Sequence, residues 1–307
     1  MLNDLKHLLH DFQPISLSDQ RFDQSHEYFE GQSNQQAQVL QWLQHFGGNQ
    51  IQRWSEKGLG ARGPFRVLSV GCGSGILDLP LIKRLAEQIE SSGSNSSMHY
   101  TGIDPNPVAC ERFREEYVRL NTNSSELLVL EETVETHQWV EKMDLTHVVH
   151  SLYYFTDPAV SLRALIKNVA VDGELVIFQA PKAELNLLAD CFWQGHGEDP
   201  IWFSAELERH LQDTGTMFTK SRVDAEVDVT DCFDLGCLQG RLTFDFIIQS
   251  DSESLPAPIF RKVLDYLKAI SRRHEGRVLA PHPVDVFVVR QSDDSTTQPD
   301  ARLACSP

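Results

Sequence analysis

Val67-Leu68-Ser69-Val70-Gly71-Cys72-Gly73-Ser74-Gly75 joins an apolar run to a GxGxG turn, and the ILDLPLIKRLAEQIE stretch behind it is amphipathic at helical spacing. Strand, glycine turn and helix in that order form the first unit of a parallel α/β sheet. Glycines suit such a turn because it admits positive φ and lets the backbone approach a ligand with no Cβ in the way. The helix behind it presents free N–H groups at its start. A tight strand-to-helix turn with no ligand would use the same residues. Gly71, Gly73 and Gly75 are therefore candidate ligand contacts whose meaning depends on what stands around them.

Downstream, apolar runs and amphipathic stretches alternate: MHYTGI, PVACERFREEYVRL, ELLVL, THVVHSL, PAVSLRALIKNVA and GELVIFQA. This alternation predicts a mostly parallel, doubly wound sheet with helices on both faces. SSGSNSS at 91–97 reads as a loop. Past residue 180 the spacing predicts a helix near 204–213, strands at 219–229 and 241–249, a helix over 258–273 and a last strand, VDVFVV, at 284–289. Upstream, residues 1–30 are polar with scattered aromatics. Ser33-Asn34 caps an amphipathic helix over 32–46 that carries Ala37, Leu40, Trp42, Leu43 and Phe46. The expected organisation is an N-terminal helical lid at 1–60, a core at 61–181, substrate-binding additions completing the sheet at 182–290, and a disordered polar tail at 291–307.

Asp104 closes the second apolar run, YTGID. In this topology a carboxylate at the end of the second strand stands over the first-strand turn and can accept hydrogen bonds from both hydroxyls of a ribose. It can equally cap the next helix ahead of Pro105, and the two roles are compatible. The turn lacks the GxGxxG spacing of dinucleotide sites, which cradle a pyrophosphate at a helix N-terminus. S-adenosylmethionine has no phosphate and lays its amino-acid end along the glycines, so it is the cofactor expected; a nicotinamide dinucleotide is the alternative.

Charge and cysteine usage narrow the partners. With 27 Lys+Arg against 44 Asp+Glu, the formal charge of −17 repels phosphate backbones and anionic headgroups. No nucleic-acid or membrane partner is expected, and no apolar run approaches the ~18 residues of a membrane span. The opening MLNDLKHLLHDF has no secretion-signal pattern, which points to a cytoplasmic protein. The 6 Cys form no CxxC pair, and the 12 His form no HExxH. Reduced thiols and no metal are expected.

At the fourth strand the chain reads His147-Val148-Val149-His150-Ser151-Leu152-Tyr153-Tyr154-Phe155-Thr156-Asp157. This LYY, with Ser69 where most proteins of the fold have Asp or Glu, resembles the histamine N-methyltransferase family. The resemblance continues in order through Asp228-Val229-Thr230-Asp231-Cys232-Phe233, Leu242-Thr243-Phe244-Asp245-Phe246 and Glu275-Gly276-Arg277-Val278-Leu279, covering residues 29–290. It implies a Rossmann-like class I methyltransferase fold with an antiparallel last strand. It further implies donor contacts at Gly71, Gly73 and Asp104, an adenine-side loop at Thr133-Val134, and Val149 beside the donor. Tyr153, Tyr154 and Phe246 match aromatic positions around a small amine; ordinary core packing would use the same residues.

The departures fall on the acceptor side. Family members that recognise histamine place a carboxylate on the N-terminal helix, an amide just before LYY and another before the last strand. The corresponding residues here are Gln35, His150 and Pro283, with His282 beside the last. A primary ammonium wants a carboxylate partner, and Gln35 cannot supply that charge. His150 is either a core residue or a polar group aimed at the acceptor nitrogen, able to take up the proton released on methylation. The function expected is S-adenosylmethionine-dependent N-methylation of a small amine or imidazole metabolite, by a monomer, with histamine itself a poor acceptor. The alternatives are another acceptor class (carboxylate, thiol or protein side chain) or a catalytically silent donor-binding domain.

Overall fold

In the computed structural model, which describes residues 2–92, 97–120, 122, 124–196, 201–234 and 236–291, three helices precede the first strand. They are α1 (Leu2–His10), α2 (Asp19–Gln32) and α3 (Gln35–Glu56), followed by β1 (Phe65–Val70). The alternation read from sequence then appears as α4 (Asp78–Ser91), β2 (Met98–Ile103), α5 (Pro107–Leu120), β3 (Ser125–Leu130), β4 (Met143–Val149), α6 (Pro158–Lys167) and β5 (Val169–Gln179). The rest of the chain supplies α7 (Asn186–His196), α8 (Ser204–Asp213), β6 (Phe218–Val223), β7 (Glu226–Asp228), α9 (Leu238–Ile248), α10 (Ala257–Ile270), β8 (Arg272–His274), β9 (Arg277–Pro281) and β10 (Val284–Val289).

The main sheet has the order β3-β2-β1-β4-β5-β10-β6. β1 to β5 pair in parallel, and β10 runs antiparallel to both β5 and β6. This is the expected doubly wound sheet with an antiparallel last strand. Strand periodicity sorts the two faces: Phe65 and Val67 pack with Val39, Leu43, Leu81 and Leu85, whereas Leu68 and Val70 pack with Leu162, Leu165, Leu207 and Leu211. A second sheet, β7-β9-β8, shares another core with α1, α7, α9 and α10, through Leu5, Leu9, Phe192, Phe244 and Val263 among others.

Several elements differ from the sequence expectation. Residues 241–249, expected as a strand, form the body of α9 through Ile248 and its C-cap, Gln249. Leu242, Phe244 and Phe246 alternate with polar residues, yet Thr243 and Asp245 are buried too, so the helix is covered nearly all round and loses its 3.6 signature. Asp245 tolerates this because Arg21 Nε (2.6 Å) and the Ser252 N–H (2.9 Å) donate to it. The run 219–229 divides into β6 and β7, which join different sheets. The helix expected over 258–273 ends at Ile270, and residues 272–274 pair as β8. The N-terminal helix continues to Glu56, and the polar segment before it folds as α1 and α2. Residues 93–96 of the expected loop and 292–307 of the expected tail lie outside the described residues.

Candidate active site

The carboxyl edge of the parallel strands gathers the residues singled out from sequence. Gly71, Gly73 and Gly75 all have positive φ (72°, 53° and 75°), which L side chains rarely adopt. A Cβ on Gly71 would lie 2.4 Å from Ser151 Cβ, and one on Gly75 would lie 2.3 Å from the Phe113 ring, so these two glycines serve packing. A Cβ on Gly73 would meet nothing within 4 Å. Its face of the turn is open.

Asp104 stands over that open face. Its Oδ2 accepts the Gly73 N–H at 2.9 Å, and its Oδ1 accepts the Asn106 N–H at 2.9 Å. The Gly71 N–H bonds Ile103 O at 2.8 Å, pinning the turn to the end of β2. Ser151 Oγ donates to Val70 O at 2.8 Å and ties the end of β4 to the same turn. Below, Tyr100 donates to Asp78 Oδ1 at 2.5 Å and lies 2.8 Å from His147 Nε2, fastening α4, β2 and β4 together in the buried interior. These residues fit S-adenosylmethionine: an open glycine backbone for its amino-acid end and a half-buried carboxylate with lone pairs left for a ribose. Val149 ends β4, half-buried beside the main core. Val134 is buried with Leu152 and Ile103, and the Thr133 carbonyl turns the loop by accepting N–H bonds from Thr136 and His137.

A second group forms where β4 ends and β10 begins. Because β10 is antiparallel to β5, His282 just before it comes to the same edge as His150 just after β4. His150 has φ 48°, and its Nε2 is shut off from solvent with no hydrogen-bond partner. His150 Nδ1 lies 3.2 Å from the Tyr153 hydroxyl, which accepts the Ala180 N–H at 2.8 Å. His282 Nδ1 is 2.8 Å from Ser33 Oγ, and buried Gln35 donates its amide N–H to His282 O at 2.7 Å. Burial, then the neighbouring His26, pushes His150 down to about 4; burial, then His150, pushes His282 down to about 3. Both are neutral at pH 7.

Aromatic rings close this group from the N-terminal side. Phe246 on α9 stands 4.6 Å from Phe29, 5.2 Å from His26 and 6.1 Å from Phe22, and Phe29 meets His282 edge-on at 5.0 Å. Thus Gln35, His150, Tyr153, Phe246 and His282 come together. Tyr154 stays at the rim, 77% exposed, with its ring 6.2 Å from Tyr153, and Pro283 is buried behind His282. Sequence reading did not single out Phe22, His26 and Phe29, although their i, i+4, i+7 spacing marks one helical face. Ser33 was read only as part of a helix cap, and Ser151 carried no signal beyond its type. Among the described residues no cluster of His, Cys, Asp and Glu is arranged to hold a metal, and no helix is long and apolar enough to cross a membrane.

Comparison with known proteins bears on this arrangement. The chain is similar to histamine N-methyltransferase of Danio rerio, 22% identical over 260 residues, covering 75% of this chain and 83% of that protein. The Mus musculus histamine N-methyltransferase is 24% identical over 254 residues, covering 75% and 82%. Among solved structures, the plantazolicin methyltransferase BpumL with a triazolic desmethylPZN analog and SAH covers 95% of this chain and 97% of its own, at 13% identity and TM-score 0.49. Magnesium protoporphyrin IX methyltransferase of Synechocystis PCC 6803 has TM-score 0.43 at 10% identity, covering 83% and 81%. The model of a methyltransferase-domain family matches residues 32–215, which is more than half of the chain. A match running through β1, the glycine turn, Asp104 and the end of β4 places the chain in the methyltransferase-domain family, as an S-adenosylmethionine-dependent methyltransferase.

Proposed function

We propose that the enzyme methylates a nitrogen of a small amine or imidazole-type compound. One observation carries this reading: a small group of rings and neutral imidazoles, Tyr153, Phe246, Phe29, His150 and His282, gathers at the sheet edge that also holds Asp104 and the open face of Gly73. The similarity to histamine N-methyltransferases, spread over three quarters of the chain, supports nitrogen as the acceptor atom. S-adenosylmethionine supplies a methyl on a positively charged sulfur, so a neutral nitrogen can attack it without a strong base.

What remains for the protein is positioning and exclusion of water. Asp104 and the Gly73 backbone hold the donor side. Phe29, Phe246 and Tyr153 wall the acceptor side with flat apolar surface, and their π faces tolerate a passing cationic methyl. Helix α2 supplies Phe22, His26 and Phe29 to this wall, and we assign it, rather than α3, the role of a lid. Labelled S-adenosylmethionine incubated with a panel of imidazole and amine compounds tests the function. Methyl incorporation on nitrogen is expected; transfer only to carboxylates, thiols or protein would reject the reading.

A further inference from the structure

The Tyr153 hydroxyl decides which nitrogen of His150 carries the proton. Its oxygen already accepts the Ala180 N–H at 2.8 Å, and its one remaining partner among the described residues is His150 Nδ1 at 3.2 Å. A phenol that accepts one bond has one proton to give, so it gives it to Nδ1. The His150 proton then sits on Nε2, the atom that is buried and unpartnered. The side chain has little freedom to turn away. Its backbone is held in the left-handed region at φ 48° with its N–H on Phe178 O at 3.2 Å, and its ring stacks over Tyr153 with centroids 6.3 Å apart. An N–H donor kept without a protein acceptor is costly unless a ligand completes it.

Among the described residues, the carboxylates around this group are poor partners for a cation. Asp245 is occupied by Arg21 and the Ser252 N–H, Asp231 accepts from Tyr28 at 3.0 Å, and burial pushes the Glu30 carboxyl up, toward its neutral form. Gln35, which gives one amide N–H to His282 O, has only a neutral amide oxygen to offer a cation. An ammonium placed here would meet imidazoles and rings in place of a carboxylate. The lone pair that attacks the methyl cannot also be the one His150 holds. The acceptor therefore carries a second lone-pair atom.

Resting on the methyltransferase reading above, we propose that His150 is a positioning residue fixed by Tyr153 as an Nε2–H donor. It selects an uncharged acceptor that brings a carbonyl or pyridine-type nitrogen beside the methylated nitrogen and carries no ammonium group.

Two measurements test this. In uniformly 15N-labelled protein, side-chain NMR should show His150 with a protonated Nε2 and a bare Nδ1, and Tyr153→Phe should abolish that preference. An Nδ1–H tautomer in the wild type overturns the proposal. In calorimetry on protein saturated with S-adenosylhomocysteine, at about pH 8 where free imidazole rings are neutral, N-acetylhistamine should bind at least about tenfold tighter than histamine, a difference of ~1.4 kcal/mol. His150→Leu should cut that advantage to the part due to the unpaired ammonium while leaving S-adenosylhomocysteine affinity within about twofold, and His150→Gln, which can still donate, should restore part of what is lost. Histamine binding as tightly as its acetyl derivative, or no measurable binding of the derivative, overturns the proposal but leaves the methyltransferase reading standing. Failure of S-adenosylhomocysteine itself to bind would be a failure of the methyltransferase reading.

Discussion

Asp104 and Gln35 differ in how much each side chain has left once it has served the fold. Asp104 fixes the glycine turn through the Gly73 N–H and starts α5 through the Asn106 N–H, yet stays half-exposed with capacity to spare. Asp104→Ala should weaken S-adenosylhomocysteine binding by ~1.5–3 kcal/mol, the usual worth of hydrogen bonds to a charged group. Isothermal titration reads this directly, and an unchanged affinity would remove Asp104 from the donor site. Gln35 is 4% exposed and donates to a carbonyl. Gln35→Glu would set a carboxylate oxygen against His282 O, so it should cost ~1–3 kcal/mol in urea unfolding. For the same reason, restoring the acid at this one position is a poor route to histamine binding.

At the scale of elements, the β1–α4 turn separates packing from binding within one motif. Gly75→Ala must displace the buried Phe113 ring as well as hold positive φ, and should destabilise by several kcal/mol (~1–2 from the backbone alone). Gly73→Ala suffers only the backbone strain, so it should remain folded and lose donor affinity instead. Equal loss of thermal stability in both variants would contradict this division. Helix α9 shows the limit of periodicity as a guide: its apolar and polar residues are alike buried, so neither period stands out, and only its partners on α2 and α7 define it. The amphipathic α4, by contrast, was legible because one side of it meets the sheet and the other meets water.

For the whole molecule, the imidazoles of His150 and His282 couple stability to pH, and His147, which burial also lowers, adds in the same sense. Their folded values, about 4 for His150 and about 3 for His282, lie below the ordinary 6.5, so the unfolded chain takes up these protons first as pH falls. Their contribution is complete above about pH 6.5 and is lost as pH drops from there toward 4, amounting to ~2 kcal/mol for each imidazole by about pH 5. Glu30 and Asp144, whose carboxyls burial pushes up, act in the opposite sense as pH falls through their raised range. Urea unfolding at about pH 7.5 and 5 should show the loss, and His282→Gln should shrink it. The N-terminal helices differ in how they are held. Helix α3 buries Val39, Leu43, Ile51 and Trp54 in the main core, whereas α2 lies against α9 over the acceptor group. Hydrogen exchange should therefore be slow throughout α3 with or without ligand, and in α2 should slow when donor product and acceptor are both bound. Ligand-independent protection of α2 would make it a fixed wall.

The sequence by itself determined the alternating sheet, the glycine turn and Asp104 above it. Each of these is written in neighbouring residues: period 2 against period 3.6, glycines where φ is positive, and a carboxylate ending an apolar run. Only the tertiary structure decided the acceptor group, because its members come from five places in the chain: α2, the start of α3, the end of β4, α9 and the approach to β10. No local spacing encodes that Phe29 meets His282, that Gln35 spends its amide on a backbone carbonyl, or that Tyr153 sets the tautomer of His150. The antiparallel course of β10 brings His282 to the sheet edge where β4 leaves His150, and strand direction is a property of the assembled sheet.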